Sequence, residues 1–311
     1  MLTTVGRLIK VETRIFLTKA DDRTRAVQNL LKRFGMEEFK GKTVALKANF
    51  NSADPFPAST HLETLGALVL GLKEAGVTDI KMAERSGMGN TRAVLEQTGV
   101  FQLANQLGFK VSVLDEVGEG GLIRVQSEKF HWKRGFLVAK VFHEADKVVQ
   151  TCCLKTHRFG GHFTMSLKNS VGLVAKFDPL DGYDYMDELH YSVHQRLMIA
   201  EINQAYKIDL IVMDATEAFV SEGPDSGKIA SPGVMLAGSD RVAMDAVGVA
   251  ILRLFGTTEQ VSGGRIFEQE QIARASELGI GVGSPEEVGL VPLDDESKKF
   301  AEKVEPILKK G

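Results

Sequence analysis

Apolar positions recur at helical spacing soon after Asp21 and Asp22, with Val27, Leu30, Leu31 and Phe34 on one stripe and Gly35 just past the end, which predicts an amphipathic helix. Upstream, residues 7–18 mix charged and β-branched side chains and read as an edge strand. Downstream, Thr43 to Phe50 reads as a largely buried strand that carries Lys47 and Asn49 near its C-terminal end. A loop with Asp54, Pro55 and Pro57 follows, and Thr60 with Glu63 has the spacing of a capping box. Leu65, Leu68, Val69 and Leu72 continue that helix to Gly76. Strand, polar loop and capped helix make the βα unit whose loop faces ligands in open parallel sheets.

A second unit has a strand over 78–84, a glycine-rich loop from Arg85 to Thr91 and a helix over about 92–97. The loop could offer backbone N–H groups to an anion, but it lacks the Gly-Lys-Ser/Thr ending of a P-loop and a plain turn is the simpler reading. A short helix (101–107) and a strand (110–114) close the unit, and the pattern then breaks between Asp115 and Arg134 into short strands or an irregular insertion. Regular alternation resumes at 145–150, in a strand leading to Thr151. Beyond it, 178–187 reads as an acidic, aromatic surface loop or lid, 187–206 as one helix, and 208–214 as a buried strand ending in Asp214. A turn cluster over 221–228, a strand over 233–237 and a long helix capped by Ser239 or Asp240 come next. A helix near 267–278, a short strand near Val288 and a charged C-terminal helix complete the pattern. The reading is α/β: a largely parallel open sheet with helices on both faces, plus an irregular β-containing insertion. No linker forces a boundary, so residues 1–311 are expected to form a single α/β domain, with room for a smaller subdomain around 115–145.

Composition narrows the partners. With 43% hydrophobic and 25% charged residues and a net charge of −3, the chain has an ordinary globular make-up and no global attraction to nucleic acid or anionic membrane. No apolar run approaches a bilayer span, and Arg7, Lys10, Glu12 and Arg14 interrupt any signal-peptide core. The only cysteines, Cys152 and Cys153, are adjacent and cannot make a disulfide framework, so a cytoplasmic setting is expected. Nothing marks either as a nucleophile, and each reads as a small buried hydrophobe.

Chemistry concentrates between Cys152 and Lys176, which holds Lys155, Thr156, His157, Gly160, Gly161, His162, Thr164, Ser166, Lys168 and Asn169. Polar residues just beyond a strand end occupy the usual ligand position of an open sheet, and the glycine pair permits close backbone approach. Lysines there can bind carboxylate or phosphate, or act as bases once desolvated. His157 and His162 suit acid–base work or a metal, although two histidines do not complete a metal site. His190 and His194, four apart on the expected helix, would share a face; the zincin motif is absent, and an ordinary core or surface pair is the simpler reading. Asp214 and Asp245 stand where the chain otherwise wants apolar residues, so they are candidates to orient the lysines and histidines or to hold a cation; Asp240 reads first as an N-cap.

The segments Val44-Ala-Leu-Lys-Ala-Asn, Leu154-Lys-Thr-His, Thr164-Met-Ser-Leu-Lys-Asn-Ser-Val-Gly-Leu, Glu222-Gly-Pro-Asp-Ser-Gly and Leu236-Ala-Gly-Ser-Asp-Arg-Val-Ala-Met-Asp-Ala, in that order, resemble the domain-of-unknown-function 362 family. The resemblance implies an α/β fold and a shared site using Lys47, Asn49, Lys155, His157, Lys168 and Asn169, supported by Asp240 and Asp245. Many relatives carry a ferredoxin-like module; two adjacent cysteines cannot ligate such a cluster, so no iron–sulfur cluster is expected. The family is also distantly similar to nickel-pincer lactate racemases. The resulting expectation is an enzyme for a small anionic ligand. Lys155, His157 and Lys168 would be its catalytic candidates, with Lys47, Asn49, Thr156, Gly160, Gly161, Asn169, Asp214, Asp240 and Asp245 as ligand-binding candidates. The alternative is a non-catalytic metal- or cofactor-binding protein, with a divalent metal at His157 and His162. Substrate and oligomeric state lie beyond the sequence.

Overall fold

The computed structural model describes residues 13–310. The strands are β1 (Thr13–Lys19), β2 (Thr43–Lys47), β3 (Asp79–Glu84), β4 (Lys110–Val113), β5 (Leu122–Val125), β6 (Phe136–Ala139), β7 (Lys147–His157), β8 (His162–Thr164), β9 (Leu210–Phe219), β10 (Ile229–Ala230), β11 (Val234–Gly238) and β12 (Val288–Pro292). The main sheet runs β12-β1-β11-β9-β7-β2-β3-β4, with β8 on β7 and β10 on β9. Along that path β11 alone runs against its neighbours. The result is a mostly parallel open sheet, and β5 pairs with β6 as a separate hairpin in the expected insertion.

Helices cover both faces because both faces are apolar. On one, Arg23–Phe34 and Leu62–Glu74 pack Leu30, Leu31, Leu65 and Leu68 against Leu46, Val149 and Val212. On the other, Arg241–Leu254 and Asp295–Lys310 pack Val247, Ile251 and Val304 against Cys152, Leu154 and Met213. A third cluster, with Trp132, Phe136 and Tyr185, fastens the insertion to the sheet. The long helix Arg241–Leu254 is buried over nearly its whole surface, which is why its stripe of apolar positions is so wide.

Several expectations change. The segment read as an edge strand is interior where it is described: β1 lies between β12 and β11, with Ile15 to Thr18 buried, and residues 7–12 lie outside the described residues. Thr60 does not cap the second helix. His61 does, its Nδ1 accepting from Glu63 N (3.3 Å), while Thr60 Oγ1 accepts from Asn49 N (2.8 Å) and ties the loop to the β2 end. The expected helix over 187–206 is two, Tyr185–Tyr191 and Gln195–Ile202, so His190 and His194 do not share a face; the His194 ring packs at a tilt against His131 instead. The 178–187 loop is pinned inward: Asp178 is buried and accepts from Tyr185 Oη (2.8 Å) and Arg124 Nη2 (2.5 Å). The glycine-rich loop spends its amides internally, with Ser86 N on Thr91 Oγ1 and Gly87 N on Asn51 Oδ1.

Candidate functional site

The parallel strands β2 and β3 end together on ionisable residues, and their neighbour β7 continues past them to another set. Lys47 closes β2, Glu84 closes β3, and β7 runs on through Lys155 and His157 rather than stopping near Thr151. The triplet Lys155-Thr156-His157 is therefore strand, not loop, and its side chains alternate. Lys155 and His157 face a cavity of about 850 Å³, whereas Thr156 points away and donates from Oγ1 to Phe219 O (3.2 Å). This cavity lies outside the carboxyl ends of the strands, where open α/β sheets take ligands.

The floor is a framework of satisfied charges. Lys47 Nζ donates to Glu84 Oε1 (2.5 Å), Ala48 O (2.5 Å) and Asn169 Oδ1 (3.2 Å). Glu84 in turn accepts from Phe50 N and Arg85 N. Burial drives both partners of this ion pair towards their neutral forms, and their mutual attraction opposes that drive. Gly172 lies across the pair; a Cβ there would meet Lys47 Nζ at 2.8 Å and Glu84 Oε1 at 2.9 Å, so only glycine fits. Lys155 Nζ is also spoken for, bonding Asn49 Oδ1 (2.8 Å), Pro57 O (3.3 Å) and Ala58 O. Arg85 is buried along the wall and donates to Val174 O and Val171 O.

Lys168 differs. It makes no hydrogen bond or ion pair among the described residues, and burial, then the charges of Lys155 and Arg85, lower its pKa to about 7. It passes directly over Gly161, where a Cβ would meet Lys168 Cε at 2.6 Å and His157 Nδ1 at 3.0 Å. The lysine stem and the imidazole thus converge on one backbone atom. Burial, then the Lys168 and Lys155 charges, push the His157 pKa well down, so the ring is neutral near pH 7; its Nδ1 is buried without a partner. Thr164 Oγ1, also on the cavity, is another buried group without a partner. Asn49 uses only its Oδ1, leaving its Nδ2 donors free among the described residues.

Asp245 acts at one remove. From the helix Arg241–Leu254 it accepts Ser166 N (2.8 Å) and Leu167 N (3.0 Å), fixing the turn that delivers Lys168 and Asn169. Burial raises its pKa to about 8 against those two bonds. Asn169 completes the turn, its Nδ2 on Thr151 O (3.1 Å). Gly160, at φ +80, makes the β7–β8 turn, and its carbonyl accepts from Arg196 Nη1 (2.9 Å).

Asp214 and Asp240 lie away from the cavity lining. Asp214 takes Thr64 Oγ1 (2.6 Å), Arg23 Nε (3.0 Å) and the Thr216 amide and hydroxyl, so it locks β9 to two helices. Asp240 caps its helix through Ala243 N and also takes Val282 N. His162 pairs with His157 in the hairpin register but is not on the cavity; its charged neighbours are Arg196 and Glu270. Among the described residues no group of three or more His, Cys, Asp or Glu side chains could hold a metal ion. The cysteines do not fit an iron–sulfur cluster: both are buried mid-strand, and burial raises both thiol pKa values, that of Cys153 to about 11. Sequence reading passed over Glu84, Arg85 as a wall residue, and Gly172. The signal for Glu84 was available, since it ends β3 as Lys47 ends β2, and adjacent parallel strands bring their ends together.

No curated protein matches the chain. Among solved structures, the lactate racemase apoprotein from Thermoanaerobacterium thermosaccharolyticum is similar at 13% identity with a TM-score of 0.45, over 72% of this chain and 54% of that one. The chain thus spans about half the length of that protein, and a likeness of this degree says nothing about its chemistry. Residues 44–250 match the family model described as a domain of unknown function (DUF362); this covers most of the chain and includes Lys47, Lys155, His157, Lys168 and Asp245, and the chain belongs to that family.

Proposed function

We propose that the cavity binds a small carboxylate or phosphate compound and that the protein is an enzyme acting on it by proton transfer. One observation carries the reading: the polar groups left without partners on the wall include Lys168 Nζ, His157 Nδ1, Thr164 Oγ1 and Asn49 Nδ2, all able to donate and clustered beside cations. Buried polar atoms without partners are costly, and the imidazole nitrogen and the hydroxyl can each donate, so a wall that keeps them unpaired beside a free amine and a free amide is organised for a ligand that accepts. Glu84 is the carboxylate on the lining, and Lys47 already neutralises it.

The roles separate by partner. Lys168 binds the anion and, with a pKa of about 7, can also give or take a proton near neutrality. Neutral His157 stands beside it as the second acid–base group. Lys155, Lys47 and Asn169 position the wall. The lining offers no cluster of carboxylate or imidazole ligands for a cation, which weighs against the metal-binding alternative. Calorimetric titration with acetate and with inorganic sulfate at pH 6.5 tests the reading. Both should bind the wild-type protein, and Lys168→Met should lose both without a lower melting temperature. Equal binding by wild type and variant would contradict the assignment.

A further inference from the structure

The cavity is far too large for the anion alone. An acetate or phosphate ion fills only a few times the roughly 30 Å³ of one water molecule, whereas the cavity measures about 850 Å³, within the range of about 300–1,000 Å³ that holds drug-sized ligands. The larger part of the lining is apolar. Of the eight large apolar side chains exposed among the described residues, four line this one cavity: Tyr191 (84% exposed), Val193 (82%), Phe159 (50%) and Met88 (41%). Apolar side chains scattered singly over a surface need no explanation, but a convergence at the mouth of a cavity does.

They come from three separate parts of the chain. Met88 lies on the β3 loop, Phe159 on the β7–β8 turn, and Tyr191 and Val193 flank the break between the helices Tyr185–Tyr191 and Gln195–Ile202. That break, which interrupts an otherwise continuous helical pattern, is what turns the last two towards the mouth side. Phe159 is held rather than loose. The Arg158 guanidinium sits 4.4 Å from its ring centroid, the His157 ring meets it edge-on at 5.8 Å, and the Gln195 amide, oriented to donate, reaches Phe159 O (3.1 Å). The wall therefore offers an apolar surface beyond the lysines and His157, at Phe159 and the apolar side chains of the rim.

We propose that the ligand is an amphipathic anion, a carboxylate or phosphate carried on an aromatic or aliphatic arm. The anion sits at Lys168 and the arm lies against Phe159, Met88, Tyr191 and Val193. The inference rests on the anion-binding reading above and adds the substrate class to it.

Calorimetric titration with a matched series tests it: acetate, hexanoate, 3-phenylpropionate and the neutral 3-phenylpropanol. Hexanoate and 3-phenylpropionate should bind at least about tenfold more tightly than acetate, as burial of several methylene or ring carbons requires, and the neutral alcohol should bind more weakly than 3-phenylpropionate. Phe159→Ser and Val193→Ser, both at exposed positions and so expected to fold, should each lose part of the gain from the arm and keep the acetate affinity. Equal affinity for acetate and its longer relatives would overturn this inference and leave the anion site standing. Failure of every carboxylate to bind, or an alcohol as tight as its carboxylate, would overturn both.

Discussion

Two groups of buried polar residues lie on this sheet, and they end in opposite conditions. Around Asp214, both carboxylate oxygens are matched: Arg23, Thr64 and Thr216 supply four hydrogen bonds to them. Around Lys168, the wall is left open, with His157 Nδ1 and Thr164 Oγ1 buried and unpaired and the amine itself without an acceptor. Both regions are buried and rich in charge, so burial of charge does not distinguish a site from a scaffold. Satisfaction does. A closed network contributes rigidity, whereas unpaired donors cost stability that a bound acceptor restores. The same contrast runs through the lysines: Lys47 and Lys155 are anchored, and Lys168 is available.

The contrast can be broken first at Lys47. Lys47→Met strands Glu84 in the core, and removing one partner of a buried ion pair costs about 3–5 kcal/mol. Denaturant unfolding should show that loss, and a change below about 1 kcal/mol would mean that the pair is not part of the framework. Asp245→Ala comes next. It leaves the buried Ser166 and Leu167 amides without their acceptor, at about 1–3 kcal/mol each. It should also weaken sulfate binding, because the turn carrying Lys168 is no longer held; an unchanged unfolding midpoint would remove Asp245 from the account.

Lys168→Met should behave in the opposite way, leaving stability at pH 7 at or above that of the wild type, because it removes an amine that burial penalises when charged, while eliminating sulfate binding. Its pH signature is specific. The Lys168 pKa is about 7 in the folded protein against 10.5 for an ordinary lysine, so the unfolded chain binds more protons between those values. Wild-type stability relative to the variant should therefore rise as pH increases from about 7 towards 10.5, and paired denaturation curves across that window would show a flat difference if the lysine were not perturbed. The smallest effect is expected for Thr164→Val. Removing an unpaired buried hydroxyl should leave stability within about 0.5–1 kcal/mol of wild type and weaken sulfate binding a few-fold.

Much of the fold was legible because the chain repeats strand, loop and helix with clear stops. Asp22 and Gly35 bound one helix as their types predict, and Asp240 caps another. The candidate site was legible only as a grouping: Lys47, Lys155, His157 and Lys168 all line one cavity. Orientation was not. Thr156 stands between two cavity residues and points away, because β7 continues further than its apolar pattern suggested. Asp214 and Asp245 looked alike as carboxylates in apolar surroundings, yet one locks helices to the sheet and the other fixes the lysine turn. That difference depends on which backbone amides and side chains come into reach across 79 residues and 150 residues of chain, and local pattern carries no record of it.

The central claim is that Lys168, free and charged only below about pH 7, is the cation that receives the anion. Calorimetric titration of sulfate, whose own charge does not change in this range, should be carried out on the wild-type protein at pH 6 and pH 8. With a pKa of about 7, the charged fraction falls about tenfold between those values. The affinity should fall by about the same factor. An affinity that does not change with pH, or that increases towards pH 8, would contradict the account.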